Sequence, residues 1–167
     1  SSAKKFYLTA INDMVNTDGI KFEESSFEEA LKKAKAQGKL LFVDCYTTWC
    51  SPCKMMNNQV FKQKFVGDFF TQNLVSLKVD MEKGEGKDLQ KRFDVNAFPT
   101  MFLLNGDGNI IYKILGGRAP RAFMEAIQRG MKQNTPYYIL KSKYEAGDRS
   151  VELMADYFQT MSDAGEL

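Results

Sequence analysis

Two cysteines stand two residues apart at a strand-to-helix junction in Trp49-Cys50-Ser51-Pro52-Cys53-Lys54, and this junction limits the possible folds more than any other stretch of the chain. Upstream, Leu40-Leu41-Phe42-Val43-Asp44-Cys45-Tyr46 is an apolar, β-branched and aromatic run with a single carboxylate, the pattern of a buried strand. Downstream, Lys54-Met55-Met56-Asn57-Asn58-Gln59 favours helix. Pro52 falls in its first turn, where a missing N–H costs nothing. The strand therefore delivers Cys50 to a helix N-terminus. Unpaired backbone N–H groups and the positive end of the helix dipole favour a thiolate there, so Cys50 is expected to titrate below the free value of about 8.5 and to act as nucleophile. Cys53, one turn on, is expected to be within reach of it and more buried, as suits a resolving thiol.

Composition narrows the chemistry. A chain of 167 residues, 44% hydrophobic, can bury one substantial core with a small appendage. Its 23 basic and 21 acidic residues leave a net charge of +2 with scattered lysines, which gives no electrostatic case for nucleic acid. No apolar stretch reaches the roughly 18 to 20 residues that span a bilayer, so no membrane insertion is expected. Histidine is absent, which removes histidine triads and imidazole zinc sites and leaves cysteine, carboxylate and lysine chemistry. Three cysteines are too few and too uneven for a disulfide-stapled scaffold. A lone C-x-x-C supplies only two of the four ligands of a structural zinc site, and Cys45 is badly placed to add a third. No metal or cofactor is expected beyond the Cys50–Cys53 pair itself. A plain structural disulfide is the remaining reading of that pair.

Along the chain, residues 1–18 form a polar-leaning arm containing Phe6-Tyr7-Leu8 and Ile11, expected to pack as a short helix. Ile20-Lys21-Phe22 alternates as an edge strand would. Ser25 or Ser26, with a glutamate three residues on, caps a helix from about Phe27 to Gln37 that Gly38 closes. A helical stretch follows the redox turn to about Phe70, with Met55, Met56, Phe61, Phe65 and Phe69 facing a core and a break near Asn57-Asn58 or Gly67. Leu74 to Asp80 reads as a strand and Lys87 to Phe93 as a short helix. Two further strands, Phe98 to Leu104 and Asn109 to Leu115, flank the hairpin signal Asn105-Gly106-Asp107-Gly108. A last core helix spans about Pro120 to Met131. The order predicts an α/β fold of parallel strands joined by helices and completed by an antiparallel hairpin. Residues 19–133 are then the main domain and 134–167 an extension. There Thr135 and Pro136 start a helix to Tyr144, and a second helix carries Val151, Leu153, Met154, Tyr157 and Phe158. Such a pair cannot bury its own apolar face, so it either packs back on the domain or begins a helical repeat array cut short at Leu167.

Taken together, the strand bearing Val43-Asp44, the Trp49–Lys54 turn, the strand ending in Asp80, the Phe98-Pro99-Thr100 turn, and Gly108 and Gly116 around the last strand resemble a thioredoxin fold over about residues 19–133. Cys53-Lys54-Met55-Met56 followed by Val60-Phe61 is more narrowly similar to the C-terminal domain of the periplasmic interchange protein DsbD and related exported thioredoxin-like proteins. The resemblance implies a central mixed sheet flanked by helices, with Pro99 cis and facing the dithiol. It implies that Trp49, Ser51, Pro52, Phe98 and Pro99 form the substrate surface. Asp44 resembles the family's buried carboxylate beneath the resolving cysteine; an apolar site raises its pKa toward neutrality, so it can take the proton from Cys53.

The implied activity is thiol–disulfide exchange on protein thiols and disulfides, with an upstream reductant or oxidant such as a membrane redox protein, outside the cytoplasm and in a bacterial periplasm. The start at Ser1-Ser2-Ala3 fits a mature chain after signal removal and fits a fragment equally. Three departures stand out. Ser51 replaces the usual glycine, bulky Phe98 precedes the proline, and the lysine that often neighbours the buried aspartate aligns with Ser76, which predicts an Asp44 with less charge compensation. Reductase or interchange activity is the leading reading, isomerase or oxidase the second. An adaptor that recruits a partner through its C-terminal helices is the third. Cys45 points away from the redox turn by strand alternation and is expected to be a small core residue.

Overall fold

A computed structural model describes residues 1–7 and 19–167. Ser26 Oγ accepts from the Glu29 N–H at 3.2 Å and starts α1 (Phe27–Gln37), and Gly38, at φ 64°, turns the chain out of it. β1 (Leu40–Tyr46) follows and is buried along its centre. The redox turn opens α2 (Ser51–Met55), which widens into a π-helical turn over Met56–Val60. After a break at residues 61–63 come α3 (Lys64–Asn73) and β2 (Leu74–Asp80). The order continues with α4 (Gly86–Arg92), β3 (Thr100–Leu104), β4 (Ile110–Leu115), α5 (Pro120–Lys132), α6 (Tyr137–Glu145) and α7 (Val151–Ala164).

The four strands form one mixed sheet in the order β2-β1-β3-β4, with β1 parallel to β2 and antiparallel to β3, and β3 antiparallel to β4. Successive side chains alternate across the sheet. Leu41, Val43 and Cys45 therefore join the core under α1 and α4, with Phe27, Leu31, Val79 and Phe102. Phe42 enters the opposite core, where its ring meets Phe61, Phe70 and Phe123 at centroid distances of 6.0, 5.0 and 5.9 Å. Asp44 shares the face of Phe42. It is carried to the end of β1 on the side where Met56 is buried.

The thioredoxin-type sheet and its helices match the expectation, and several details do not. No strand forms at Ile20-Lys21-Phe22: Ile20 N–H goes to Phe61 O at 2.7 Å, and the bond to β2 comes one residue past the segment, Glu23 N–H to Ser76 O at 2.8 Å, too little for a ladder. Gly67 is no helix break. It lies inside α3 and allows the Gly19 backbone to approach, since a Cβ there would sit 2.2 Å from Gly19 O. Phe65 is 52% exposed; Phe70, three residues after Gly67, fills the core position instead. Pro136, not Thr135, is the N-cap of α6. Residues 2–7 are helical with Phe6 and Tyr7 exposed, while Leu8 and Ile11 of the expected arm lie outside the described residues.

Helices α6 and α7 pack back on the sheet. Leu140, Leu153, Met161 and Ala164 form a third apolar cluster that Ile110 of β4 joins, and Tyr144 stacks on Tyr157 at 4.0 Å. Among the described residues, no helix is long and apolar enough to cross a membrane.

Candidate active site

Cys50 and Cys53 are joined in a disulfide, with their Cα atoms 5.3 Å apart. Cys50 is the N-cap of α2, and its Sγ accepts the backbone N–H of Cys53 at 3.2 Å. That N–H is one of the unpaired donors of a helix start, and on reduction it is already aimed at the sulfur that must carry charge. The expected difference in burial is not seen: Cys50 is 3% exposed and Cys53 5%. The two residues differ in their position along the helix, Cys50 at the N-cap and Cys53 in the first turn, rather than in burial.

Asp44 and Cys53 line one cavity of about 200 Å³, together with Thr47, Asn57 and Lys78. Burial pushes the Asp44 carboxyl up from 3.8 to about 7, with Lys78 pulling partly the other way. Among the described residues, Asp44 Oδ1 and Thr47 Oγ1 are buried without a hydrogen-bond partner, and both residues face a space roomy enough for water. Lys78 corrects the expectation about charge around Asp44. It stands directly opposite Asp44 in the parallel β1–β2 register, two positions beyond Ser76, and its Nζ donates to Asn57 Oδ1 at 2.7 Å. Partial burial lowers the Lys78 pKa, while Asp44 raises it. Cys45 lies in the other core, where burial and then the nearby Asp44 push its thiol well above the usual range. It is no candidate nucleophile.

The Phe98–Pro99 bond is cis. β3 begins one residue later and pairs Thr100 with Cys45, which brings Pro99 to the end of β1 that leads into the redox turn. The Phe98 ring meets Trp49 edge-on at 5.9 Å, and the Trp49 indole N–H donates to Glu82 Oε1 at 2.9 Å. Trp49 is nonetheless 64% exposed, a large apolar surface beside the disulfide. Ser51 and Pro52 are exposed on the other flank. Gly117 approaches Pro52 closely, since a Cβ on it would lie 3.5 Å from Pro52 Cβ and 2.7 Å from Met55 Cε. The structure thus brings together Cys50, Cys53 and Asp44, and places Trp49 with Phe98 and Pro99. Sequence reasoning missed Lys78, Asn57, Glu82 and the Gly116–Arg118 segment. For Lys78 the signal lay in the β1–β2 register, whereas Glu82 and Gly117 meet the site only through loop geometry.

Comparison with known proteins agrees with this architecture. A family model described as a thioredoxin-like domain matches residues 27–130. A solution structure from Bacteroides thetaiotaomicron, provisionally named a disulphide-isomerase, is 45% identical with a TM-score of 0.63, covering 70% of this chain and 97% of that one. Thioredoxin AMT13 of Alternaria alternata is 33% identical over 99 residues, 58% of this chain and 75% of its own. The thiol:disulfide interchange protein DsbD of Pseudomonas fluorescens is 33% identical over 86 residues, 51% of this chain but 15% of that much longer protein. The chain belongs to the thioredoxin-like family, and its cysteine pair and relatives make it a thiol–disulfide oxidoreductase.

Proposed function

We propose that this protein reduces or interchanges disulfides in other proteins through the Cys50–Cys53 dithiol, outside the cytoplasm. The observation that carries the reading is the pair itself at the start of α2, with the Cys53 N–H on Cys50 Sγ and cis-Pro99 alongside. In the reduced protein the Cys50 thiolate attacks one sulfur of a substrate disulfide, and the other leaves as a thiolate that takes a proton. Cys53 then yields its proton to the Asp44 carboxylate and attacks Cys50 Sγ, releasing the second substrate sulfur. Two electrons pass to the substrate and the Cys50–Cys53 disulfide re-forms. A carboxyl near 7 suits this step, because it is ionised often enough to accept the proton and weak enough an acid to hold it briefly. Trp49, Ser51, Pro52, Phe98 and Pro99 form the substrate surface, with the backbone at Phe98 positioned to pair with an extended peptide.

The similarity to DsbD supports an extracytoplasmic setting and an upstream redox protein, one held in a membrane included, that returns the pair to its dithiol form. The provisional name of the Bacteroides relative favours isomerisation as a second reading. The test is dithiothreitol-driven reduction of insulin beside recovery of scrambled ribonuclease. Acceleration of the first that Cys50→Ser abolishes is expected, and undiminished turnover in that variant overturns the assignment. Ribonuclease recovery without insulin reduction selects the isomerase.

A further inference from the structure

The segment Gly116–Arg118, between β4 and α5, touches both sides of the redox site. Gly116 N–H donates to the Pro99 carbonyl at 2.9 Å, Gly117 lies against Pro52 and Met55, and the Arg118 N–H donates to Met56 Sδ at 3.3 Å. What holds this segment comes from the far end of the chain. Arg118 Nη2 reaches the Asp163 carbonyl at 3.4 Å and its carboxylate at 3.5 Å, in the last turn of α7. The carboxylate is buried and does not yield. Arg129 Nε and Nη2 grip it from α5 at 3.0 Å each, Gln159 Nε2 donates at 3.3 Å, and the Tyr112 hydroxyl of β4 donates as well. Arg118 Nη1 is buried with no hydrogen-bond partner among the described residues, so the contacts to α7 are what fix this guanidinium. One residue past α7, Gly165 packs on the Leu115 side chain, where a Cβ would meet Cδ2 at 2.3 Å, which sets the helix end against the point where β4 runs into Gly116.

From this geometry we infer that the C-terminal helical pair buttresses the substrate surface: Asp163, acting through Arg118, holds Gly116–Arg118 against cis-Pro99 and Pro52, and so sets the affinity for protein disulfides. Asp163 is a positioning residue and takes no part in the exchange. The inference rests on the reading above that proteins are the substrates. A protein disulfide must fit its backbone between these walls, where a displacement well under the width of an atom is felt. A small disulfide has to reach only Cys50 Sγ at the start of α2 and lays no backbone between these walls. Affinity and chemistry therefore separate in the assay.

The experiment compares Asp163→Asn, Arg118→Met and Tyr112→Phe with the wild-type chain, using insulin and a small aromatic disulfide. Tyr112→Phe takes a hydroxyl from the same carboxylate without touching the loop, and so controls for lost stability. Asp163→Asn and Arg118→Met are expected to raise KM for insulin about fivefold, with kcat and the small-disulfide rate of Asp163→Asn within about twofold of wild type. Tyr112→Phe lowers Tm and leaves KM alone. Backbone amide shifts of Gly116, Gly117 and Arg118 report the loop independently of activity and are expected to move in Asp163→Asn. Unmoved amides, KM values that track Tm across the three variants, or a parallel fall in the small-disulfide rate overturn the inference. A wild-type chain that leaves insulin oxidised sinks the substrate assignment instead, and the amide shifts then still decide whether the buttress exists.

Discussion

Asp44 shows how one side chain can serve stability and chemistry in opposite senses. Its carboxyl titrates near 7 in the folded protein, above its ordinary 3.8, so the folded state holds a proton that the unfolded chain has released across that interval. The stabilisation linked to that proton is complete below about 4 and is lost as pH rises to about 7, a decline on the order of a few kcal/mol. Urea titrations of wild type and Asp44→Asn across this range are expected to show the decline in the first and its absence in the second. In turn, the same substitution removes the base that receives the Cys53 proton. Resolution of the mixed disulfide at pH 7.5 should slow by roughly tenfold or more and lose its inflection near 7. A rate unchanged by Asp44→Asn assigns that proton to solvent. Lys78 opposes the burial of Asp44 across the strand pair, so Lys78→Met is expected to move the same inflection upward.

At the scale of elements, close packing between a helix and a connection is set by single glycines. α3 can lie close to residues 19–20 because Gly67 has no side chain, and Gly67→Ala tests that directly. In an open helix the exchange gains up to about 1 kcal/mol, but here the new Cβ meets backbone at 2.2 Å, so a net loss of about 1 to 3 kcal/mol in denaturant unfolding is expected. The regular elements were legible in the sequence for physical reasons. Ser26 and Gly38 bound α1 by capping, β1 and β2 are largely apolar with a polar residue at Asp44 and at Ser76 and Lys78, and Asn105-Gly106-Asp107-Gly108 announces the β3–β4 turn. The failures share a cause as well. Ile20-Lys21-Phe22 has the alternation of a strand without a ladder, and Phe65 has the spacing of a core residue on a helix whose buried stripe runs through Val66 and Phe70. Periodicity states what an element can do; the partner that decides lies elsewhere in the chain. The site divides in the same way. Cys50 and Cys53 follow from local pattern, and Asp44 and Pro99 from the resemblance to the thioredoxin fold, whereas Glu82 under Trp49 and Asp163 behind Arg118 depend on packing between residues 33 and 45 positions apart.

For the whole molecule, the C-terminal pair belongs to the same folded body as the sheet. Lys113 and Lys141 converge on Glu166 at 3.3 and 2.7 Å, Tyr137 donates to it at 2.5 Å, and Ile110 packs into the cluster between α6 and α7. Removing residues 135–167 therefore uncovers one face of β4 and strips Tyr112 and Arg129 of their shared carboxylate. The shortened chain is expected to lose about 3 kcal/mol or more, read as a fall in Tm of roughly 10 °C. Full thermal stability after that deletion would reduce the helices to a tethered adaptor. The exchange depends on one sulfur, Cys50 Sγ, and the most direct measurement is to trap the bond it makes. Cys53→Ser chain mixed with oxidised insulin, alkylated and mapped by mass spectrometry, is predicted to carry the insulin chain on Cys50 and to lose it when Cys50 is also replaced by serine. An adduct on the buried Cys45, or no adduct from a protein whose wild-type form reduces insulin, contradicts the account.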